Sequence, residues 1–104
     1  MQRTDIIQQI KDVLQKIVPE AKTILYGSEA RGDARLDSDI DLLIIVDKDK
    51  LSIQEEEAIT LPLYEIELFS GVPISPRIVL KKIWENRPFK TPFQLNIINE
   101  GVVL

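Results

Sequence analysis

Apolar residues recur every three or four positions near the start of the chain, between positions 6 and 17. This spacing predicts a helix with one buried face, with Thr4 as its N-cap and Pro19 as its end. A second helix is predicted over residues 51–70, although Pro62 should kink or split it. The residues of this second helix expected to point inward are Ile59, Leu63, Ile66 and Phe69.

Three shorter apolar segments predict β-strands. The first, residues 23–26, runs directly into Gly27. The second, residues 40–46, is an Ile/Leu/Val run interrupted by Asp41. The third, residues 74–80, contains a proline, which indicates an edge strand or a bulge. We therefore expect an α/β (α+β) fold with a small mixed β-sheet of three or more strands and helices packed on one face.

The remaining segments carry turn and capping signals. The polar residues 29–38 predict a short helical turn and a loop, and residues 81–86 predict another helical turn. A last helix should begin with Thr91 as N-cap and Pro92 at its first position, and end at Gly101. The aromatic residues near these elements are interpreted as core packing rather than an interaction patch: Trp84, Phe89 and Phe93.

Length and composition narrow the possible functions. A chain of 104 residues with 44% hydrophobic content has enough material for one core, so we expect a single domain, 1–104. The net charge of −4 argues against non-specific nucleic-acid binding, which needs a surplus of Lys and Arg. Without Cys or His, the chemistry must use carboxylates, hydroxyls, Lys, Arg and backbone amides, and carboxylates favour hard cations such as Mg²⁺.

Targeting signals are not visible. The N-terminal residues mix charged and apolar side chains, and the longest apolar run, residues 42–46, is far too short to span a bilayer. We therefore expect a cytoplasmic protein without membrane contact.

The most informative segment contains Gly27-Ser28 and, after ten intervening residues, the acids Asp39 and Asp41. Residues i and i+2 of a strand face the same side, so the two carboxylates can share a divalent cation, which would offset their repulsion. A glycine allows the backbone to approach a phosphate, to which the following amides and the Ser28 hydroxyl can donate. Each motif alone is common in turns, but together they predict a Mg²⁺-dependent site for a nucleoside triphosphate.

The segment GSEARGDARLDSDIDLLI, residues 27–44, resembles the signature of the polymerase β-like nucleotidyltransferase superfamily, and in particular its minimal nucleotidyltransferase (MNT) branch. The resemblance implies a nucleotidyltransferase fold that uses Mg²⁺ and ATP. It places Gly27 and Ser28 on the triphosphate, and Asp39 and Asp41 as catalytic metal ligands. Arg31 belongs to the Ala-Arg-Gly element of this branch and would support the loop or a phosphate.

MNT proteins often pair with helical HEPN proteins in toxin–antitoxin modules. The resemblance therefore implies an MntA-like antitoxin that transfers AMP from ATP to a hydroxyl of a HEPN-type toxin. Three alternatives stay open: a catalytically weak or inactive protein that neutralises a partner by binding, a small-molecule nucleotidyltransferase of the aminoglycoside type, and an assembly subunit whose acidic loop makes salt bridges.

One departure from the family pattern concerns a third carboxylate, which these enzymes usually carry on the strand that follows. The predicted third strand, residues 74–80, contains no acid. The nearest candidates are Glu65 and Glu67, which lie in the predicted helix, although their i, i+2 spacing would also suit a strand pair. The sequence leaves open whether either of them completes the site.

Overall fold

A computed structural model describes residues 3–88 and 90–104 of the chain. Phe89, for which core packing was predicted, lies outside the described residues. The helices and strands follow the order α1 (Arg3–Ile17), β1 (Lys22–Tyr26), α2 (Ser28–Arg31), β2 (Ile40–Val46), α3 (Ile53–Ser70), β3 (Ile74–Leu80), α4 (Lys81–Glu85), α5 (Pro92–Glu100) and β4 (Val102–Val103).

The strands form one mixed sheet in the order β3-β2-β1-β4. Strand β2 pairs parallel with β3 and antiparallel with β1, and β1 pairs antiparallel with β4. The predicted mixed sheet is thereby confirmed. Because β3 lies at the edge of the sheet, Pro76 removes no hydrogen bond from a central strand, and β3 pairs with β2 in unbroken register.

The sheet buries side chains on both faces, which explains the continuous apolar run of β2. On one face, alternate β2 residues pack against the buried stripes of α1 and α3, and this confirms that helices pack on one face of the sheet. These β2 residues are Ile40, Leu42, Ile44 and Val46. On the opposite face, Leu43 and Ile45 pack with Trp84 of α4 and Ile97 of α5, so the two short helices cover part of the second face.

Two details of the predicted helices are wrong. Thr4 is not an N-cap, since α1 already begins at Arg3. Phe69 is 83% exposed, because it falls beyond the edge of the α3 stripe formed by Ile59, Leu63 and Ile66. Pro62 lies inside a helix that continues without a break, so the burial of that stripe outweighs the cost of about 3 kcal/mol for an interior proline.

The C-terminal end of the sheet was only partly foreseen. Thr91 caps α5 as expected, accepting a hydrogen bond from the backbone N–H of Gln94. Gly101 is the C-cap, in an extended conformation that leads directly into β4, which the sequence did not predict. A Cβ at Gly101 would lie 2.6 Å from Cγ2 of Ile24, so glycine allows β4 to approach β1.

Among the helices of the described residues, none combines the length and the apolar character that a membrane span requires.

Candidate functional site

The turn after β1 packs directly against a carboxylate of β2. Gly27 has φ 74° and ψ −150°, a conformation that side chains with a Cβ rarely adopt. A Cβ at this position would lie 2.5 Å from Oδ2 of Asp41. The structure therefore brings the Gly-Ser turn and the Asp-x-Asp motif together, although ten residues separate them in the sequence.

Ser28 opens the short helix α2, directly after this turn. The first helical hydrogen bond runs from the backbone N–H of Arg31 to the carbonyl of Gly27. In any helix the first N–H groups have no acceptor inside the helix, so those that follow Gly27 are free to donate outward. These backbone N–H groups can donate to a phosphate. Because two carboxylates lie beside them, the phosphate would need to be accompanied by a cation such as Mg²⁺.

The two aspartates differ in their surroundings. Asp39 is exposed and precedes β2, whereas Asp41 is half-buried within the strand and pairs in register with Tyr26 of β1. Burial raises the pKa of the Asp41 carboxyl above its ordinary value, the negative charge of Asp39 raises it further, and the positive charge of Arg31 opposes both. The ionised pair is therefore electrostatically unfavourable on its own.

A divalent cation fits this arrangement. Carboxylate oxygens are the ligands that Mg²⁺ prefers, and a positive ion would remove the repulsion that raises the pKa of Asp41. Within residues 3–88 and 90–104, however, no cluster of three or more Asp, Glu, His or Cys side chains is suited to hold a metal. An ion held here would therefore take two carboxylates from the protein, Asp39 and Asp41, and phosphate oxygens and water would complete its coordination.

The edge strand β3 carries a hydroxyl and a guanidinium on the face where the resemblance described above implies a third carboxylate. Ser75 pairs with Asp41 in register, and its Oγ donates to Oδ2 of Asp39 at 3.3 Å. Arg77, two residues further along the same face, stacks its guanidinium 4.4 Å from the centre of the Phe93 ring. Its positive charge also counteracts the increase in the Tyr26 pKa that burial and Asp41 cause.

Glu65 and Glu67 do not form a strand pair, so that interpretation is wrong. Both lie in α3, and the buried stripe of this helix packs on the face of the sheet opposite to Asp41. Glu67 has a structural contact, since its Oε1 accepts a hydrogen bond from the backbone N–H of Ile74 at 2.7 Å. This contact fixes the start of β3 instead of supplying a metal ligand.

Arg31 lies at the end of α2, and its guanidinium forms ion pairs with two acidic side chains. It is 3.5 Å from Oδ2 of Asp33 and 3.4 Å from Oε2 of Glu100. These exposed pairs are weak, so the side chain could exchange them for a phosphate at little cost. The predicted role of Arg31 on the loop or on a phosphate stays a prediction.

Arg3 is a residue that the sequence analysis missed. From the first turn of α1, its guanidinium forms an ion pair with Glu29 of α2. It also donates to the carbonyl of Leu36 at 3.2 Å and to the carbonyl of Ser38 at 2.8 Å. One largely buried side chain thereby ties the helix after Ser28 to the residues just before Asp39, across 26 to 35 positions of sequence.

Comparison with known proteins gives consistent results. Residues 7–103 match the family model described as "Nucleotidyltransferase domain". Two curated relatives come from Methanocaldococcus jannaschii. "Putative protein adenylyltransferase MJ0141" is 34% identical over 98% of both chains, and "Putative protein adenylyltransferase MJ0604" is 34% identical over 80% of this chain and 76% of its own length. A solved structure described as "Structure of putative minimal nucleotidyltransferase" superposes with a TM-score of 0.63, covering 100% of this chain and 97% of its own, at 24% identity. At that identity it supports the fold.

Proposed function

The chain belongs to the nucleotidyltransferase domain family, and from this premise we propose that it transfers AMP from ATP to a hydroxyl of a partner protein. The observation that supports the proposal is the close approach of Gly27 to Asp41, since the Gly27-Ser28 turn, which we propose binds phosphate, lies against one of the two carboxylates. The same residues would bind Mg²⁺ and the triphosphate in one place.

In the proposed reaction the acceptor oxygen attacks the α-phosphorus of ATP. A new P–O bond forms, the bond to the β-phosphate oxygen breaks, pyrophosphate leaves, and the hydroxyl proton is released. A bound Mg²⁺ would supply charge stabilisation for the phosphates and the leaving pyrophosphate. Asp39 and Asp41 would hold the ion, and Gly27 and Ser28 would orient the triphosphate through backbone and hydroxyl donors.

The choice of ATP and of a protein acceptor is supported by the two relatives, whose names describe protein adenylyltransferases. We further propose that the acceptor is a HEPN-type helical toxin and that the chain acts as its antitoxin. The match to the MNT signature over residues 27–44 supports this assignment.

A second candidate is a catalytically weak or inactive protein that neutralises its partner by binding. It is favoured by β3, where Ser75 and Arg77 occupy the face on which the family usually carries a third carboxylate. The two candidates share nucleotide binding and differ in transfer, so the experiment must measure both.

Nucleotide binding is tested by calorimetry with Mg·ATP, comparing the wild type with Asp39→Asn and Asp41→Asn. Asp37→Asn is the matched control, because Asp37 is an exposed acid of the same loop. We expect both site variants to weaken binding at least tenfold and the control to leave it unchanged. Equal binding by all four proteins would refute the site.

Transfer is tested by incubating the protein with a purified HEPN-type toxin and ATP labelled either at the α- or at the γ-phosphate. The proposal requires the toxin to gain the α-label but not the γ-label, and to gain nothing with Asp41→Asn. Mg·ATP binding without any labelled toxin would favour the non-catalytic alternative. In a parallel reaction with an aminoglycoside in place of the toxin, labelling of the aminoglycoside would favour a small-molecule acceptor.

A further inference from the structure

Helix α3 is apolar on two opposite sides. Its inward stripe packs on the sheet, but four large apolar residues point away from it and are between 53% and 72% exposed. These residues are Ile53, Leu61, Tyr64 and Leu68. A helix that is apolar all round is normally buried on all sides, so the outward side of α3 is unusual for a surface helix.

The outward residues have the spacing of a helix–helix contact. Leu61, Tyr64 and Leu68 are separated by three and four positions, as are the a and d residues that meet the facing helix in a coiled coil. Glu57, four positions before Leu61, continues the same line with a charge. We name Glu57, Leu61, Tyr64 and Leu68 the outward seam of α3.

The charge of α3 specifies what could cover the seam. The helix holds five of the chain's 17 acidic residues and none of its 13 basic residues, so the rest of the chain has a net charge of +1. Glu55 and Glu67 are engaged with Lys48 and with the backbone of Ile74. Glu57 and Glu65 are exposed on or beside the seam, and Glu56 is exposed at its flank. A complementary surface must therefore be basic.

This charge argues against two other occupants. A second copy of the chain would bring a like-charged helix against the seam, and an anionic lipid surface would repel it. Pairing of an extended peptide along β3 is also disfavoured. The Ile74 N–H already donates to Glu67, and Pro76 has no N–H.

We propose that the outward seam of α3 docks one amphipathic, basic helix of a partner protein. Apolar residues of that helix would pack on Leu61, Tyr64 and Leu68, and its Lys or Arg residues would face Glu57 and Glu65. The identity of the partner rests on the proposed function, in which the partner is helical. The seam itself lies on the helix layer across the sheet from Asp41, so docking and nucleotide binding can be measured separately.

The test uses a synthetic 21-residue helical peptide with Leu at its a and d positions and Lys at e and g, together with a second peptide that carries Glu in place of Lys. Binding to the full chain is measured by calorimetry at concentrations where the peptides are monomeric. The seam variant is Leu61→Ser with Leu68→Ser. The matched control is Ile83→Ser with Leu95→Ser, which removes comparably exposed apolar residues of α4 and α5.

We expect the Lys peptide to bind one to one, at least tenfold more tightly than the Glu peptide. The seam variant should lose at least tenfold in affinity and the control should lose less than twofold. A charge-reversed protein, Glu57→Lys with Glu65→Lys, should prefer the Glu peptide, and this arm does not depend on removing apolar residues.

The inference is overturned by equal binding of both peptides to the wild type, by wild-type affinity in the seam variant, or by an unchanged peptide preference after charge reversal. Sedimentation that shows a dimer dissociated by the seam variant would assign the seam to a second copy instead. Mg·ATP binding is measured on every variant. If it persists while peptide docking fails, the docking inference is rejected and the proposed function stands.

Discussion

Replacing Gly27 by alanine tests the contact on which the site depends. The added Cβ would lie 2.5 Å from Oδ2 of Asp41, a separation at which one of the two groups must move. Because Gly27 is held between β1 and α2, we expect the Asp41 carboxylate to be displaced from its place beside Asp39. Gly27→Ala should therefore weaken Mg·ATP binding as well as the fold.

The cost to the fold follows from the backbone conformation. At φ 74° and ψ −150°, Gly27 lies in a region that is essentially restricted to glycine, where strain costs up to about 3 kcal/mol. Alanine also reduces the entropy of the unfolded chain, which returns about 0.4 to 1 kcal/mol. The free energy of unfolding should thus fall by about 2 kcal/mol before the clash with Asp41 is counted.

Two other glycines provide matched controls. Gly32 and Gly71 have φ values of 79° and 77° in the ordinary left-handed region, and a Cβ at either position would meet nothing within 4 Å. Alanine there should cost about 1 kcal/mol after the same entropic offset. Gly71 lies at the end of α3, so Gly71→Ala should bind Mg·ATP like the wild type.

Urea unfolding gives the stabilities, and calorimetry gives Mg·ATP affinities under conditions where every variant is folded. We expect the wild type to be the most stable, the two controls to be intermediate and Gly27→Ala to be the least stable. Gly27→Ala alone should lose at least tenfold in affinity for Mg·ATP. The reasoning is refuted if Gly27→Ala is as stable as Gly32→Ala, or if it is destabilised but binds Mg·ATP at full affinity.

Further predictions concern the charge at the site, its support and the α3 cap. In metal-free buffer at pH 7, Asp41→Asn should unfold at higher urea than the wild type, because the raised pKa shows that the ionised carboxylate destabilises the fold. This gain should shrink as the pH falls through the folded-state pKa toward 3.8, and a less stable variant at pH 7 would contradict it. Arg3→Gln should lower the free energy of unfolding by about 2 kcal/mol and weaken Mg·ATP binding in calorimetry, unlike the control Arg35→Gln. Unchanged affinity would restrict Arg3 to a purely structural role. Ser52→Ala breaks the capping box with Glu55 and should cost about 1 kcal/mol in urea unfolding, with Mg·ATP binding intact; a smaller loss would mean that the cap contributes little.

The parts of the site that the sequence predicted are those that local geometry controls. Asp39 lies directly before β2 and Asp41 lies within it, two residues apart and close enough for the charge of Asp39 to act on Asp41. The Gly-Ser turn follows β1, the strand that pairs antiparallel with β2. Arg3 could not be found in this way, because its partners lie 26 to 35 positions away and no periodic pattern connects them. Strand β4 escaped prediction because two valines form a strand only when Gly101 brings them against β1.

Strand β3 lacks the third carboxylate that the resemblance implies. The position of this strand indicates which step of the proposed reaction should be slowed. Mg²⁺ is commonly bound through one or two carboxylates together with substrate phosphates and water, so in the proposed site Asp39 and Asp41 would suffice to hold it once ATP is bound. A third carboxylate would have served the acceptor hydroxyl, and here Ser75 and Arg77 occupy its face of the sheet. Neither side chain suits the role of proton acceptor, since a guanidinium offers only hydrogen-bond donors and a serine hydroxyl is a very weak base. We therefore expect ordinary Mg·ATP affinity combined with slow transfer, a deficit that falls on kcat and that the KM for ATP would not share.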